Sequence, residues 1–353
     1  MRLDVAVYFL ASQRLGGKIL HFLMRTSTTP ELTQFAEDVL HGLSSTPKQL
    51  SSKYFYDDEG SRLFQEIMKL PEYYLTRAEL GIFRSQTEAI ATAFLGAKQE
   101  SEMTSPQSLD LIELGAGDGT KTAVLIEYFL QNHIDFTYSP IDISQKANDA
   151  LLAAFAERFP ELRINPHTGD YFRVLSSLRN GSGRRKVVMF LGSNIGNFQR
   201  DQAIDFFRQL RGVLNENDRL FIGFDMHKDP RVIVRAYDDA QGVTAAFNLN
   251  LLRRINRELG ANFDLDKFTH YAQYRPAECA ARSFLISREK QTVHIAAVDR
   301  SFELEQWEAI FMEISQKYSS GMIRELADQS GFQIETEFLD RENFYTDSLW
   351  RPV

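Results

Sequence analysis

The chain has 353 residues, 40 basic and 48 acidic, for a net charge of −8. That length holds one large or two ordinary domains, and no lysine or arginine run forms the footprint of a nucleic-acid binder. The one cysteine, Cys279, excludes an internal disulfide and points to a reducing compartment, the cytoplasm. Seven scattered histidines without C-x-x-C or H-x-x-x-H spacing predict no metal site.

At the N-terminus, Val5–Ala11 is apolar but too short to span a bilayer. Residues 1–28 read as a disordered leader, and no membrane association is expected. A helix is predicted over Arg77–Phe94, followed by the polar stretch Lys98–Pro106. Residues 110–122 (DLIELGAGDGTKT) then carry the densest information. An apolar strand ends in Glu113, glycines alternate at Gly115, Gly117 and Gly119, and a helix-like run follows over Thr122–Leu130. Glycine is needed where a ligand approaches the backbone or where φ turns positive. The G-x-G-x-G spacing is not the G-x-G-x-x-G that seats a pyrophosphate, and no Walker lysine follows. A ligand with a nucleoside but no phosphates fits, which points to S-adenosylmethionine; a simple turn is the alternative for a bare glycine triplet.

Residues 136–142 read as a second strand ending in Asp142, and a carboxylate about 20 residues past such a loop is placed for ribose hydroxyls. Strand-like Leu162–Pro166 precedes Gly169-Asp170-Tyr171, where the acid can accept from an adenine amino group. Lys186–Leu191 is a fourth strand, running into GSNIGN at 192–197. The cluster Arg184-Arg185-Lys186 reads as a solvated turn. Leu220–Phe224 is a further strand ending at Asp225. From 109 to 227 the strand–helix alternation predicts a parallel, doubly wound sheet of Rossmann-like α/β type.

The pattern changes after 228. Val243–Leu259 is a long helix with apolar residues at helical spacing, and Phe263–Tyr274 is expected to be loop-rich. Arg282–Ser287 and Gln291–Ala297 read as a hairpin turning at 288–290. Thr336–Leu339 and Ser348–Trp350 read as closing strands. The expected organisation is a cofactor-binding domain over 77–227 plus 318–353, and an inserted α+β substrate-binding domain over 29–76 plus 228–317.

Residues 53–80 (KYFYDDEGSRLFQEIMKLPEYYLTRAEL) resemble the opening signature of the histidine-specific Nα-methyltransferase family of the ergothioneine pathway. Further matches are GSNIGN at 192–197, RAYDD at 235–239, INREL at 255–259 and MEIS at 312–315, so the likeness runs from about Thr46 to the C-terminus. It implies a class I S-adenosylmethionine-dependent methyltransferase that converts L-histidine to its Nα-trimethyl betaine, hercynine. It places Tyr56 near the substrate amine as the catalytic tyrosine, and Gly192 beside the same amine. Tyr73, Glu313 and Ser315 take the imidazole, and Asn197 and Tyr237 the α-carboxylate. Gly115, Gly117, Lys121, Asp142, Asp170 and Tyr171 match the cofactor side. The partners implied are a small-molecule amino acid and no nucleic acid, in a monomeric enzyme.

Two positions depart from the family pattern. Ser283 stands where ergothioneine-pathway members usually carry methionine, and Asn194 replaces a common threonine. Position 283 lines the side-chain pocket in that family, so a shorter residue enlarges it and opens an alternative: the same reaction on another amino acid, such as a tryptophan derivative. Read without the resemblance, Tyr56 and Tyr73 fit core aromatics, Glu313 and Ser315 fit the polar face of a strand, and Asn197 fits a helix cap. Base-directed amine methyltransferases carry an Asn/Asp-Pro-Pro-Tyr tetrapeptide where this chain has GSNIGN.

Overall fold

The computed structural model describes residues 30–96, 108–178 and 183–353; the expected leader and the polar stretch at 98–106 lie outside them. Three helices come first: α1 (Pro30–Ser44), α2 (Asp58–Lys69) and α3 (Tyr74–Leu95). An alternating run follows: β1 (Ser108–Leu114), α4 (Thr120–Gln131), β2 (Asp135–Asp142), α5 (Gln145–Arg158), β3 (His167–Thr168), α6 (Tyr171–Leu178), β4 (Arg185–Phe190), α7 (Arg200–Val213) and β5 (Arg219–Asp225). Next come α8 (Pro230–Tyr237), α9 (Val243–Leu259), β6 (Phe268–Arg275), β7 (Ala280–Ser287), β8 (Gln291–Ile295), β9 (Arg300–Leu304) and β10 (Ala309–Gln316). The chain closes with α10 (Ser320–Ser330), β11 (Phe332–Leu339) and β12 (Tyr345–Pro352).

The main sheet has seven strands in the order β11-β12-β5-β4-β1-β2-β3. β1 to β5 pair in parallel, while β12 runs antiparallel to both β5 and β11. Its strands are apolar on both sides because helices cover both faces. Successive residues enter opposite cores: Leu111, Val187, Met189 and Phe221 join one cluster, and Ile112, Val188, Phe190 and Ile222 the other. The ends of β1, β2, β4 and β5 therefore converge on one rim, the place where open α/β sheets bind ligands. No described helix is long and apolar enough to cross a membrane.

A second, antiparallel sheet of order β10-β7-β6 packs against α8 and α9 and stands over this rim. Here the structure corrects three expectations. Phe263–Tyr274 is not mainly loop: β6 occupies Phe268–Arg275 and alternates buried Phe268 and Ala272 with exposed Thr269 and Tyr271. The expected hairpin of 282–287 with 291–297 does not form, because β6 and β10 take both edges of β7 and β8 pairs with β9 instead. Leu162–Pro166 yields only a bridge between Tyr138 and Ile164, and the strand proper is His167–Thr168. Pro166 has no N–H to give a ladder.

The basic cluster is not a solvated turn either. Arg184 pairs with Asp110 and Asp135 at 3.1 and 3.3 Å. Arg185 donates to the carbonyls of Phe94 and Leu95, satisfying the free C-terminal carbonyls of α3. Lys186 is buried 3.7 Å from Asp218.

Candidate active site

The loop after β1 holds Gly115, Gly117 and Gly119 at φ +70°, +56° and +66°, values that L side chains resist. The three face different surroundings. A β-carbon at Gly119 would strike the buried side chains of Phe155 and Leu151, and one at Gly115 would meet Tyr171 Oη at 2.9 Å. At Gly117 nothing lies within 4 Å, so the backbone there borders open space. Beneath the loop Glu113 is sealed in the core, accepting from Tyr138 Oη at 2.6 Å and Thr122 Oγ1 at 2.7 Å. Burial pushes its carboxyl up to about 7, against the pull of those two hydrogen bonds.

Asp142 ends β2, accepts from the Ser144 N–H at 2.8 Å, and is raised by burial. Its neighbour Ile143 is 83% exposed, an apolar surface at the same rim. Asp170 is exposed and accepts the N–H groups of Phe172 and Arg173 at the start of α6. Lys121 is ion-paired with Glu79, and its Nζ would lie 3.4 Å from a β-carbon on Gly192. An open glycine backbone, a carboxylate at the end of β2 and an exposed apolar side chain beside it fit a nucleoside-bearing cofactor such as S-adenosylmethionine.

Next to this loop is a pocket whose walls include Tyr56, Tyr73, Gly192, Asn197, Tyr237, Glu313 and Ser315. Residues from four separate stretches of sequence thus meet in one cavity. Asn197 does not cap the following helix; Gln199 takes that place at the start of α7. Glu313 and Ser315 share a face of β10. Burial pushes Glu313 up to about 7, while Lys317 pulls it down. Burial also raises the hydroxyls of Tyr73 and Tyr237 well above the ordinary phenol value, and that of Tyr56 with help from the Glu313 charge. Tyr56 is nevertheless 45% exposed as a whole residue. Ser283 is not on the wall: it sits on β7 across from Glu313, 1% exposed, with its hydroxyl unpartnered.

Sequence reasoning missed two parts of the site. Phe64 and Phe247 complete an aromatic wall, with ring centroids 5.5 and 5.7 Å from Tyr56, and Phe64 is 6.1 Å from Tyr73. Behind the pocket lies a buried polar group. Lys317 pairs with Asp225 Oδ2 at 2.8 Å and donates to Tyr237 Oη and Ser315 Oγ at 2.8 and 2.7 Å. Lys228 and Tyr74 also hold Asp225. Asp225 was visible as a strand end, but no local spacing links it to position 317.

The parallel sheet with its antiparallel β12, the glycine loop after β1 and the acid ending β2 define a Rossmann-like methyltransferase that uses S-adenosylmethionine. Residues 35–352 match the family described as histidine-specific methyltransferase, SAM-dependent, and the chain belongs to that family. It is 35% identical over 310 residues to histidine N-alpha-methyltransferase of Mycobacterium tuberculosis, covering 88% of this chain and 90% of that protein. The protein of the same name from Mycolicibacterium smegmatis is 37% identical over 292 residues, covering 82% and 87%. Ergothioneine biosynthesis protein 1 of Schizosaccharomyces pombe is 28% identical over 296 residues, covering 82% of this chain and 37% of the longer protein.

Proposed function

We propose that this enzyme methylates the α-amine of L-histidine with S-adenosylmethionine, in successive transfers that end at the trimethyl betaine, hercynine. The observation that carries this reading is the convergence of an acid and a hydroxyl on β10, Glu313 and Ser315, with Asn197, Tyr237 and Tyr56 in one pocket beside the glycine loop. We take 77–227 plus 318–353 as the cofactor-binding domain and 29–76 plus 228–317 as the substrate-binding domain, in a monomeric cytoplasmic enzyme.

When bound, S-adenosylmethionine supplies an electrophilic methyl group on a sulfonium. Gly115, Gly117, Lys121, Asp142, Asp170 and Tyr171 hold it at the rim. Asn197 donates to the α-carboxylate beside Tyr237, and Tyr73, Glu313 and Ser315 take the imidazole. These contacts fix the amine's approach, and alignment is the largest part of the catalysis such a displacement needs. Tyr56, kept protonated by burial and by the Glu313 charge, does not serve as a phenolate base. Its hydroxyl oxygen accepts from the substrate ammonium beside the Gly192 backbone, and its exposure gives the released proton a route to water. The rings of Tyr56, Phe64 and Phe247 favour the growing methylammonium by cation–π attraction.

Ser283 favours a second reading, the same reaction on another amino acid such as a tryptophan derivative, because a short side chain backs Glu313. Mass spectrometry of the twenty amino acids, each incubated with enzyme and S-adenosylmethionine, separates the two. Histidine gaining three methyl groups supports the proposal; another amino acid methylated in its place overturns it.

A further inference from the structure

We propose that Lys317 is a positioning residue that aims the hydroxyl proton of Ser315 into the pocket, so that the site reads a neutral imidazole through one donor and one acceptor. This rests on the histidine reading above. Lys317 is fully buried, and its three N–H bonds go to Asp225, Tyr237 and Ser315. A hydroxyl has one proton and two lone pairs, and an ammonium can only donate. Ser315 Oγ accepts from Lys317 at 2.7 Å and from Tyr237 Oη at 2.6 Å, which fills both lone pairs. Its own proton meets no protein acceptor among the described residues.

Glu313, two residues earlier on the same strand face, lines the same pocket and when ionised only accepts. The pair therefore offers one donor and one acceptor, and neutral imidazole offers the same two in reverse. An imidazolium would present a second N–H to a hydroxyl already committed to donating. A phenyl ring satisfies neither group, and an indole only Glu313. The charged and titratable groups around this arrangement are Asp225 and Lys228 behind Lys317, Tyr74 on α3, and Tyr73, Tyr56 and Glu313 on the pocket side.

Removal of Lys317 does not strip Asp225 of partners. Tyr74 Oη donates to it at 2.8 and 2.9 Å, and Lys228 pairs with its other oxygen. A Lys317→Met chain is expected to fold, with Ser315 free to turn its proton away from the pocket.

The test is calorimetric titration of histidine into enzyme saturated with S-adenosylhomocysteine. Lys317→Met should weaken histidine about tenfold or more, as loss of an oriented hydrogen bond implies, while S-adenosylhomocysteine binds within about twofold of the parent. Lys317→Gln, which keeps two N–H donors, should recover most of the loss and carries the test if the methionine variant does not fold. In a Ser315→Ala background the Lys317→Met loss should shrink to about threefold or less, a coupling that a merely structural lysine would not show. Histidine binding unchanged in Lys317→Met, or an equal loss with and without Ser315, overturns this inference alone. Absence of histidine binding to the parent enzyme overturns the proposed function and this inference with it.

Discussion

The carboxylate of Glu79, on α3, accepts the backbone N–H of Gly192 with its two oxygens at 2.9 and 3.0 Å. A residue outside the pocket thus fixes the turn that forms one of the pocket's walls. The same carboxylate accepts from Tyr345 Oη at 2.9 Å and pairs with Lys121. Space for this junction is made by Gly223 on β5, since a β-carbon there would overlap both Glu79 Oε1 and Tyr345 Oη. Gly223→Ala should therefore cost more than about 2 kcal/mol, as overpacking beside a buried charge network does. Chemical denaturation of the two proteins checks it; a loss below about 0.5 kcal/mol would mean that the junction relaxes freely.

Glu313 should decide the amino acid. A charge-assisted hydrogen bond to the ring N–H contributes about 1.5–3 kcal/mol, so Glu313→Ala should lower kcat/KM for histidine by roughly 10- to 150-fold. Phenylalanine, whose ring offers the carboxylate no donor, should gain or hold its rate in the same variant. Steady-state kinetics with both substrates provides the check, and equal losses for the two would refute a selective role.

Glu313 also sets a pH dependence whose sign follows from its shift. Its folded value, about 7, lies above the ordinary carboxyl value, so the folded state holds this proton more tightly than the unfolded chain. The corresponding stability is complete below about pH 4.3, the unfolded value, and is lost as pH rises through 7. Glu313→Gln, which cannot ionise, should accordingly melt higher than the parent at pH 8 relative to their difference at pH 5. Melting curves of the two proteins without ligand, at both values, measure that change. Histidine affinity should move the opposite way and strengthen as pH rises through 7, because the ring N–H needs the ionised carboxylate.

What was legible in sequence was local. The glycine loop, Asp142 at its strand end and the aromatic-rich segment around Tyr56 each declare themselves within a few residues, because turn conformation and strand periodicity are short-range properties. Partner choice is not. Alternation marked 282–287 and 291–297 as strands, but only the packed structure shows β7 claimed on both edges by β6 and β10. The same limit hid Lys317 and Asp225, which lie far apart in the chain and meet only where the two sheets abut. It also misplaced Arg184, Arg185 and Lys186, whose charges look solvated until Asp110, Asp218 and the end of α3 are brought to them.

Two glycines of the loop should separate folding from ligand binding. Gly119 and Gly117 both have positive φ, so alanine at either carries a backbone cost of roughly 1–2 kcal/mol. At Gly119 the added methyl would also lie 2.5 Å from Phe155 Cζ and 2.7 Å from Leu151 Cδ1, both in the core. Gly119→Ala should thus lose substantially more stability than Gly117→Ala. At Gly117 the methyl enters the open space over the loop, where the cofactor is expected to lie against the backbone. Gly117→Ala should keep most of its stability but bind S-adenosylhomocysteine at least about tenfold more weakly, the equivalent of about 1.4 kcal/mol. Melting and calorimetry on the same two preparations decide the matter, and unchanged cofactor affinity in a folded Gly117→Ala protein would show that the ligand does not cross the loop there.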